Sequence, residues 1–196
     1  LAGFEDDMTP IKTPDRPCVI MITGNMAAGK STVAQRLAER LPRSVHLRGD
    51  VFRRMIVGGR AEMGFELNDE AYRQLQLRYR IAAAAARLYL EAGFVVVYQD
   101  IIIGPELANV VRSFHAYPLY VVVLCPAADV VAQREAARGK TGYHDRNAID
   151  AFDRGLRQET PRLGFWLDSS GLSVDQTVDR ILAGLDQARV LPDEAA

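Results

Sequence analysis

Eight residues constrain this chain more than any others: Gly24-Asn25-Met26-Ala27-Ala28-Gly29-Lys30-Ser31. They match the pattern G-x-x-x-x-G-K-[ST], and they stand where that pattern has a mechanism. The apolar run Cys18-Val19-Ile20-Met21-Ile22-Thr23 precedes them and reads as a buried strand. Ser31–Leu41 follows with helical spacing, placing Val33, Leu37 and Leu41 on one face, until Pro42 stops it. Glycines let such a loop curl so that successive N–H groups face one anion, and the starting helix adds its positive dipole end. Lys30 is placed to bridge the β- and γ-phosphates of a nucleotide, and the Ser31 hydroxyl to ligate Mg²⁺. The motif therefore predicts ATP seated on Gly24, Asn25, Met26, Ala27, Ala28, Gly29, Lys30, Ser31 and Thr32, with Mg²⁺ as its companion.

The rest of the chain alternates. Ser44–Arg48 reads as a second strand, Asp50–Val57 as a short helix broken by Gly58-Gly59, and Asn68 as the N-cap of a long helix to about Glu91. Phe94–Tyr98 is a third strand, Gly104-Pro105 opens a helix, and Tyr117–Cys125 is a valine-rich fourth strand. A helix follows from Pro126 to about Arg138. After the polar stretch Gly139–Asp145, another runs to about Thr160. Leu163–Leu167 is a fifth strand, and Ser173-Val174-Asp175-Gln176 has the form of a capping box. Apolar strands separated by helices demand right-handed crossovers and a sheet covered on both faces. The expectation is a three-layer α/β P-loop kinase fold with a five-stranded parallel sheet. It forms one domain over 17–196 after an acid- and proline-bearing arm at 1–16.

Composition narrows the function classes. The 196 residues are enough for one compact domain, and their formal net charge of −1 argues against a nucleic-acid partner. No apolar stretch approaches the ~20 residues of a membrane span, and no signal peptide is visible, so a cytoplasmic protein is expected. Cys18 and Cys125 lie in or beside apolar runs and read as buried thiols. His46, His115 and His144 form no Cys/His cluster that would support a zinc site.

In a doubly wound sheet the ligand lies beyond the carboxyl ends of the strands, and that rule selects two acids. Asp50 follows the second strand and Asp100 the third. A kinase needs one carboxylate to accept or orient the acceptor proton and often another in the metal shell. Asp50 is assigned as the base and Asp100 to the metal shell or to substrate orientation, although exchanged roles satisfy the same pattern. Arg134 and Arg138 share a helix face, and Lys140 and Arg146 follow across Gly139 and Gly142. This basic segment, about 134–147, is read as a lid whose guanidinium groups offset charge on the transferring phosphoryl group. The stretch Phe52–Leu67 and the start of the long helix carry Arg53, Arg54, Met55, Met63, Phe65, Tyr72, Arg73 and Tyr79, a mixed basic and apolar set for an organic acceptor.

Taken together, the phosphate loop, Gly49-Asp50, Asp100-Ile101-Ile102-Ile103-Gly104 and the block Cys125–Lys140 with its R-E-x-A-R-G core resemble the chloramphenicol phosphotransferase-like proteins. The resemblance covers residues 18 to about 190. It implies a nucleoside-monophosphate-kinase-like fold, phosphorylation of an antibiotic hydroxyl by ATP, Asp50 as the catalytic aspartate, and Arg134 and Arg138 as lid arginines. Asn25-Met26-Ala27 departs from that family's small polar loop interior, and Phe52–Leu67 does not match a chloramphenicol pocket. Adenylylsulfate and gluconate kinases are similar at lower specificity. The leading expectation is an ATP-dependent kinase of a small hydroxylated molecule. Its alternatives are a nucleoside, nucleotide or sugar kinase of primary metabolism, or a low-turnover ATP-binding protein. The N-K-x-D signature of guanine recognition is absent.

Overall fold

A computed structural model describes residues 13–63, 67–137 and 151–191. Its strands are β1 (Val19–Gly24), β2 (Ser44–Arg48), β3 (Val95–Gln99), β4 (Leu119–Leu124), β5 (Phe165–Leu167) and β6 (Arg189–Val190). Its helices are α1 (Lys30–Glu39), α2 (Gly49–Arg54), α3 (Asp69–Glu91), α4 (Glu106–Arg112), α5 (Ala128–Ala137), α6 (Val174–Ala183) and α7 (Leu185–Ala188). The sheet order is β2-β3-β1-β4-β5 with every neighbouring pair parallel, as the alternation of strands and helices predicts. β6 adds a sixth strand, antiparallel to the start of β4, with Leu119 opposite Val190 and Tyr120 opposite Arg189. Two residues carry no readable alternation, so the expectation of five strands missed it.

The strands bury both faces. Val19, Met21, Val96, Tyr98, Val121 and Val123 face a core completed by α3 and α4, through Tyr79, Ala82, Ala86, Leu107 and Val110. Ile20, Ile22, Val95, Val97, Val122 and Leu124 face the opposite core, with Val33 and Leu37 of α1 and Val178 and Ile181 of α6. Alternate side chains of a strand point to opposite faces, so near-continuous apolar runs are what a doubly covered sheet requires. Small residues at Ala82 and Ala86 bring α3 close to the sheet, and both are fully buried.

Local chemistry sets the helix ends. The Asn68 side chain accepts from the Ala71 amide at the start of α3. Ser173 and Gln176 close the expected capping box on α6, each bonding the other's backbone N–H. α2 is shorter than the sequence suggests, ending at Arg54 and not near Val57. Tertiary contacts draw the following chain across α3 instead. Gln74 donates to the Gly59 carbonyl at 2.8 Å and accepts from the Ala61 amide at 2.9 Å, and Arg53 donates to the Ala61 carbonyl at 2.6 Å. The helix before Thr160 ends in a π turn over Gly155–Glu159. Thr160 ties that turn to the chain just before α4: its hydroxyl accepts from the Gly104 amide at 2.7 Å and donates to the Gly155 carbonyl at 2.9 Å. Both cysteines are free and buried, and burial pushes the Cys18 thiol up to about 12. Among the described residues no helix is long and apolar enough to cross a membrane.

Candidate active site

The phosphate loop joins β1 to α1 at the centre of the sheet, where β1 lies between β3 and β4. Its backbone takes left-handed values at Gly24 (φ 140°), Ala27 (φ 55°) and Gly29 (φ 89°). Ala27 is the one non-glycine residue with positive φ among those described, and it lies inside the motif. Such strain persists where the surrounding structure imposes it, commonly at ligand sites. Gly24 has a second reason to be glycine, because a Cβ there would stand 2.3 Å from the Leu124 carbonyl oxygen. α1 begins without a side-chain cap: Gly29 occupies the N-cap position, and only its carbonyl is engaged, accepting from the Thr32 and Val33 amides at 3.1 and 3.0 Å. The first-turn amides of a helix lack intrahelical partners and attract an anion. Lys30 lies in the cradle, with its Nζ donating to the Gly24 carbonyl at 2.9 Å and the Asn25 carbonyl at 2.6 Å. Its side chain is buried, neither in solvent nor in the apolar core. Asn25 is buried with its Oδ1 lacking a hydrogen-bond partner.

The ends of β2 and β3 supply the two acids. Asp50 is the second residue of α2 and half-exposed. Its Oδ2 accepts from Arg54 at 2.6 Å with Arg48 at 3.6 Å, while Oδ1 is sheltered and makes no hydrogen bond. Asp100 is placed differently. It is 2% exposed and both of its oxygens are engaged: Oδ1 by Arg78 at 2.5 Å and by the Ile101 amide at 2.8 Å, Oδ2 by the Tyr98 hydroxyl at 3.2 Å. Burial raises its pKa, while Arg78, the Ile101 amide, Tyr98 and the nearby Lys30 pull it back. The side chain that meets Ser31 is the preceding residue, Gln99, whose Oε1 accepts from Ser31 Oγ at 3.2 Å. Thr23 fastens the segment after β3 to the end of β1, donating to the Ile102 carbonyl at 2.7 Å and accepting from its amide at 2.9 Å.

A cavity of about 390 Å³ opens behind the phosphate loop, lined by Ala28, Thr32, Val33, Leu172 and Thr177. Arg134 forms part of its wall, with its Nη2 3.2 Å from the Ser169 carbonyl. Ser169 also lines it and is 3% exposed with an unpartnered hydroxyl. The structure thus places Arg134 beside this cavity, next to the loop's Ala27–Gly29 side. Arg138, Lys140, His144 and Arg146 lie outside the described residues, as does most of the expected lid.

Several contributing side chains carried no readable signal. Arg157, after the lid segment, pairs with Asp153 at 2.9 Å and reaches the carbonyls of Cys125 and Pro126 at the end of β4. Gln99 and Arg78 are legible only once β3 and α3 are docked. Of the expected acceptor-side residues, Tyr79 belongs to the core, its hydroxyl donating to the Ile101 carbonyl. Met55 is exposed, as is Val57 two residues on at 98%. Phe65 lies outside the described residues.

Mg²⁺ usually keeps several waters and is held by one or two protein groups plus substrate phosphates. The donor set fits that habit: among the described residues no three His, Cys, Asp or Glu side chains gather into a self-sufficient cage, and the Ser31 hydroxyl stands at the start of α1. Asp100, expected in the metal shell, has both oxygens engaged by protein groups, Oδ1 by Arg78 and the Ile101 amide and Oδ2 by Tyr98.

Solved structures share the fold. A tunicamycin resistance protein of Deinococcus radiodurans superposes with a TM-score of 0.65 at 19% identity, covering 90% of this chain and all of that one. A sugar kinase from Janibacter sp. HTCC2649 gives 0.64 at 19% identity over 92% and 99% of the two chains. The APS kinase of Mycobacterium tuberculosis, solved with AMPPNP and APS, gives 0.63 at 22% identity over 88% and 99%. No curated protein matches the sequence. The model of the AAA domain family AAA_33 matches residues 19–158. With a phosphate loop of this geometry at the head of the central strand, the chain belongs to that AAA domain family, a family of P-loop kinases.

Proposed function

We propose that the protein is an ATP-dependent phosphotransferase that moves the γ-phosphate onto a hydroxyl of a small molecule. The observation that carries this reading is Lys30, whose buried ammonium lies on the carbonyls of a loop with left-handed turns at both ends and an uncapped helix behind it. On nucleotide binding Lys30 exchanges those carbonyls for β- and γ-phosphate oxygens, and the amides of the loop and first turn of α1 take the remaining charge. The base occupies the cavity beside Arg134 and Ser169. Arg134 therefore touches the nucleotide from that side, and Arg138 is assigned to the phosphoryl group from the lid. Bound Mg²⁺ supplies further charge neutralisation on the triphosphate, with Ser31 as its protein ligand and Asp100 as a nearby anion.

At the other end, the acceptor lies against α2 and the chain that follows it. The unpaired Oδ1 of Asp50 accepts the hydroxyl proton as the acceptor oxygen bonds to Pγ and the bond from Pγ to the bridging oxygen breaks, releasing ADP. Exposed Met55 and Val57 beside Arg53 and Arg54 suit an acceptor with both an apolar surface and polar groups. An antibiotic or another secondary metabolite has that character. A nucleoside or sugar acceptor is separated from it by the same experiment.

That experiment is a screen of hydroxylated metabolites and antibiotics for acceptor-dependent ADP release, confirmed by mass detection of the phosphorylated product, with Lys30→Ala as the control. Transfer by the wild type and a loss of at least about 10³-fold in Lys30→Ala are expected, since that variant removes the cation on the transferring phosphate. A Lys30→Ala enzyme with near-wild-type kcat would sink the assignment. Tight ATP binding without transfer to any acceptor would instead favour a low-turnover ATP-binding protein.

A further inference from the structure

We propose that Arg78, on α3 and outside every motif, is a positioning residue for phosphoryl transfer, holding Asp50 in place through a wedge formed by Asp100 and Gly49. This rests on the phosphotransferase reading of the site. Arg78 Nη2 lies 2.5 Å from Asp100 Oδ1, with side chains 11% and 2% exposed, so the pair is almost wholly out of water. The other carboxylate oxygen presses on α2. A Cβ built on Gly49 would stand 1.9 Å from Asp100 Oδ2 and 2.5 Å from its Cγ, well inside the 3.0 Å that real Cβ atoms keep. Gly49 has no left-handed φ, so it is glycine because the carboxylate fills the space a side chain would need.

The consequence is a stacked contact from α3 to the candidate base. The Arg78 guanidinium fixes the Asp100 carboxylate, the carboxylate sets how closely Gly49 approaches, and Asp50 is the next residue along α2. The wedge itself is anchored, because the Asp100 amide donates to the Ile22 carbonyl of β1 at 3.3 Å and the Tyr98 hydroxyl braces Oδ2. The adjacent Tyr79 bonds the Ile101 carbonyl at 2.9 Å, so α3 grips the end of β3 at two successive residues. Removing Arg78 leaves a buried carboxylate without its cation, an arrangement that proteins relieve by moving the charge or admitting water. Gly49 then loses the surface it rests on, and Asp50, next to it in α2, moves with it. A displacement near 1 Å at a reacting group costs about 10²-fold in rate.

The test compares wild type with Arg78→Met, Arg78→Lys and Gly49→Ala. Readouts are kcat, KM for ATP and acceptor, affinity for a fluorescent ADP analogue, and amide exchange across residues 49–54. Arg78→Met is expected to lower kcat by about 10²-fold while nucleotide affinity stays within about threefold, and Arg78→Lys to recover part of the loss. Gly49→Ala should reproduce the kcat defect with Arg78 intact. A folded Arg78→Met with kcat within about threefold of wild type overturns the proposal, as does an equal loss of nucleotide affinity. Where Arg78→Met does not fold, Gly49→Ala decides: a kcat defect supports the wedge and a normal kcat overturns it. If the wild type phosphorylates no acceptor, the functional reading fails by itself. The wedge is then read from exchange, where faster exchange confined to 49–54 in Arg78→Met supports it and an unchanged rate overturns it.

Discussion

The two glycines that flank the phosphate loop should fail in different ways. At Gly24 an alanine meets two penalties. Its φ of 140° lies where L side chains are strained, and its Cβ would sit 2.3 Å from the Leu124 carbonyl oxygen, so β4 or the loop must yield by about 0.7 Å to restore the 3.0 Å that real Cβ atoms keep. Backbone strain of that kind costs about 1–3 kcal/mol, and forcing atoms into a filled space costs about 1–3 kcal/mol more. Leu124 is the last residue of β4 and the clashing atom is its backbone carbonyl, so no flexible side chain absorbs the push. At Gly29 φ is 89° but no atom lies within 4 Å of the added Cβ, so strain of about 1–2 kcal/mol is the whole penalty. Urea unfolding followed by circular dichroism should therefore rank Gly24→Ala about 2–6 kcal/mol below wild type and Gly29→Ala only about 1–2 kcal/mol below. The displacement also shifts the amides that cradle phosphate, so nucleotide affinity should fall further in Gly24→Ala. A Gly24→Ala protein as stable as Gly29→Ala would refute the claim that close backbone approach, and not φ alone, dictates this glycine.

Three other outcomes are expected. Asp50→Asn should lower kcat by about 10²–10⁴-fold with KM for ATP little changed, because the proposed mechanism gives its unpaired Oδ1 to the acceptor and not to the nucleotide; a rise in the ATP KM alone would move it into the metal shell and make Asp100 the candidate base. Arg134→Ala should weaken nucleotide binding, read by isothermal titration of ADP, since Arg134 lines the cavity assigned to the base; unchanged affinity with reduced kcat would return it to the role of a lid arginine. Burial first, and Arg48 second, lower the pKa of His46 below its ordinary value. The unfolded chain then binds the proton more readily than the folded one, so this contribution is present above the ordinary histidine range and is lost as pH falls through it. His46→Gln should narrow the stability difference between pH 7.5 and pH 5, and an unaltered pH dependence would remove His46 from that account.

Much of the site was legible because its chemistry is local. The loop from Gly24 to Ser31 carries its φ requirements, cation and helix start within eight consecutive residues. Asp50 and Asp100 were selected by one topological rule, that ligands lie beyond the carboxyl ends of the strands, and the order β2-β3-β1 puts Asp100 after the strand next to the loop strand and Asp50 one strand further out. Their partners could not be read in the same way. Arg78 meets Asp100 from 22 residues away, Ser31 meets Gln99 from 68, and Arg134 reaches the Ser169 carbonyl across 35. The Gly49-Asp50 pair was visible, but the reason for its glycine was not, since that reason is a carboxylate from another strand.

By itself, then, the order of residues determined which backbone can hold a triphosphate and which apolar runs must pair into a covered parallel sheet, because dihedral preference and hydrophobic periodicity act over a few neighbours. Tertiary structure decided how each acid is held. Asp50 is half-exposed beside two arginines, with one sheltered oxygen left unpaired, while Asp100, similarly placed at a strand end, is buried against Arg78 and Tyr98. The two aspartates carry the same chemical group, and only the packing of α3 against the end of β3 separates their environments. Desolvation and partner geometry are properties of the folded neighbourhood and are not written in either residue's sequence context.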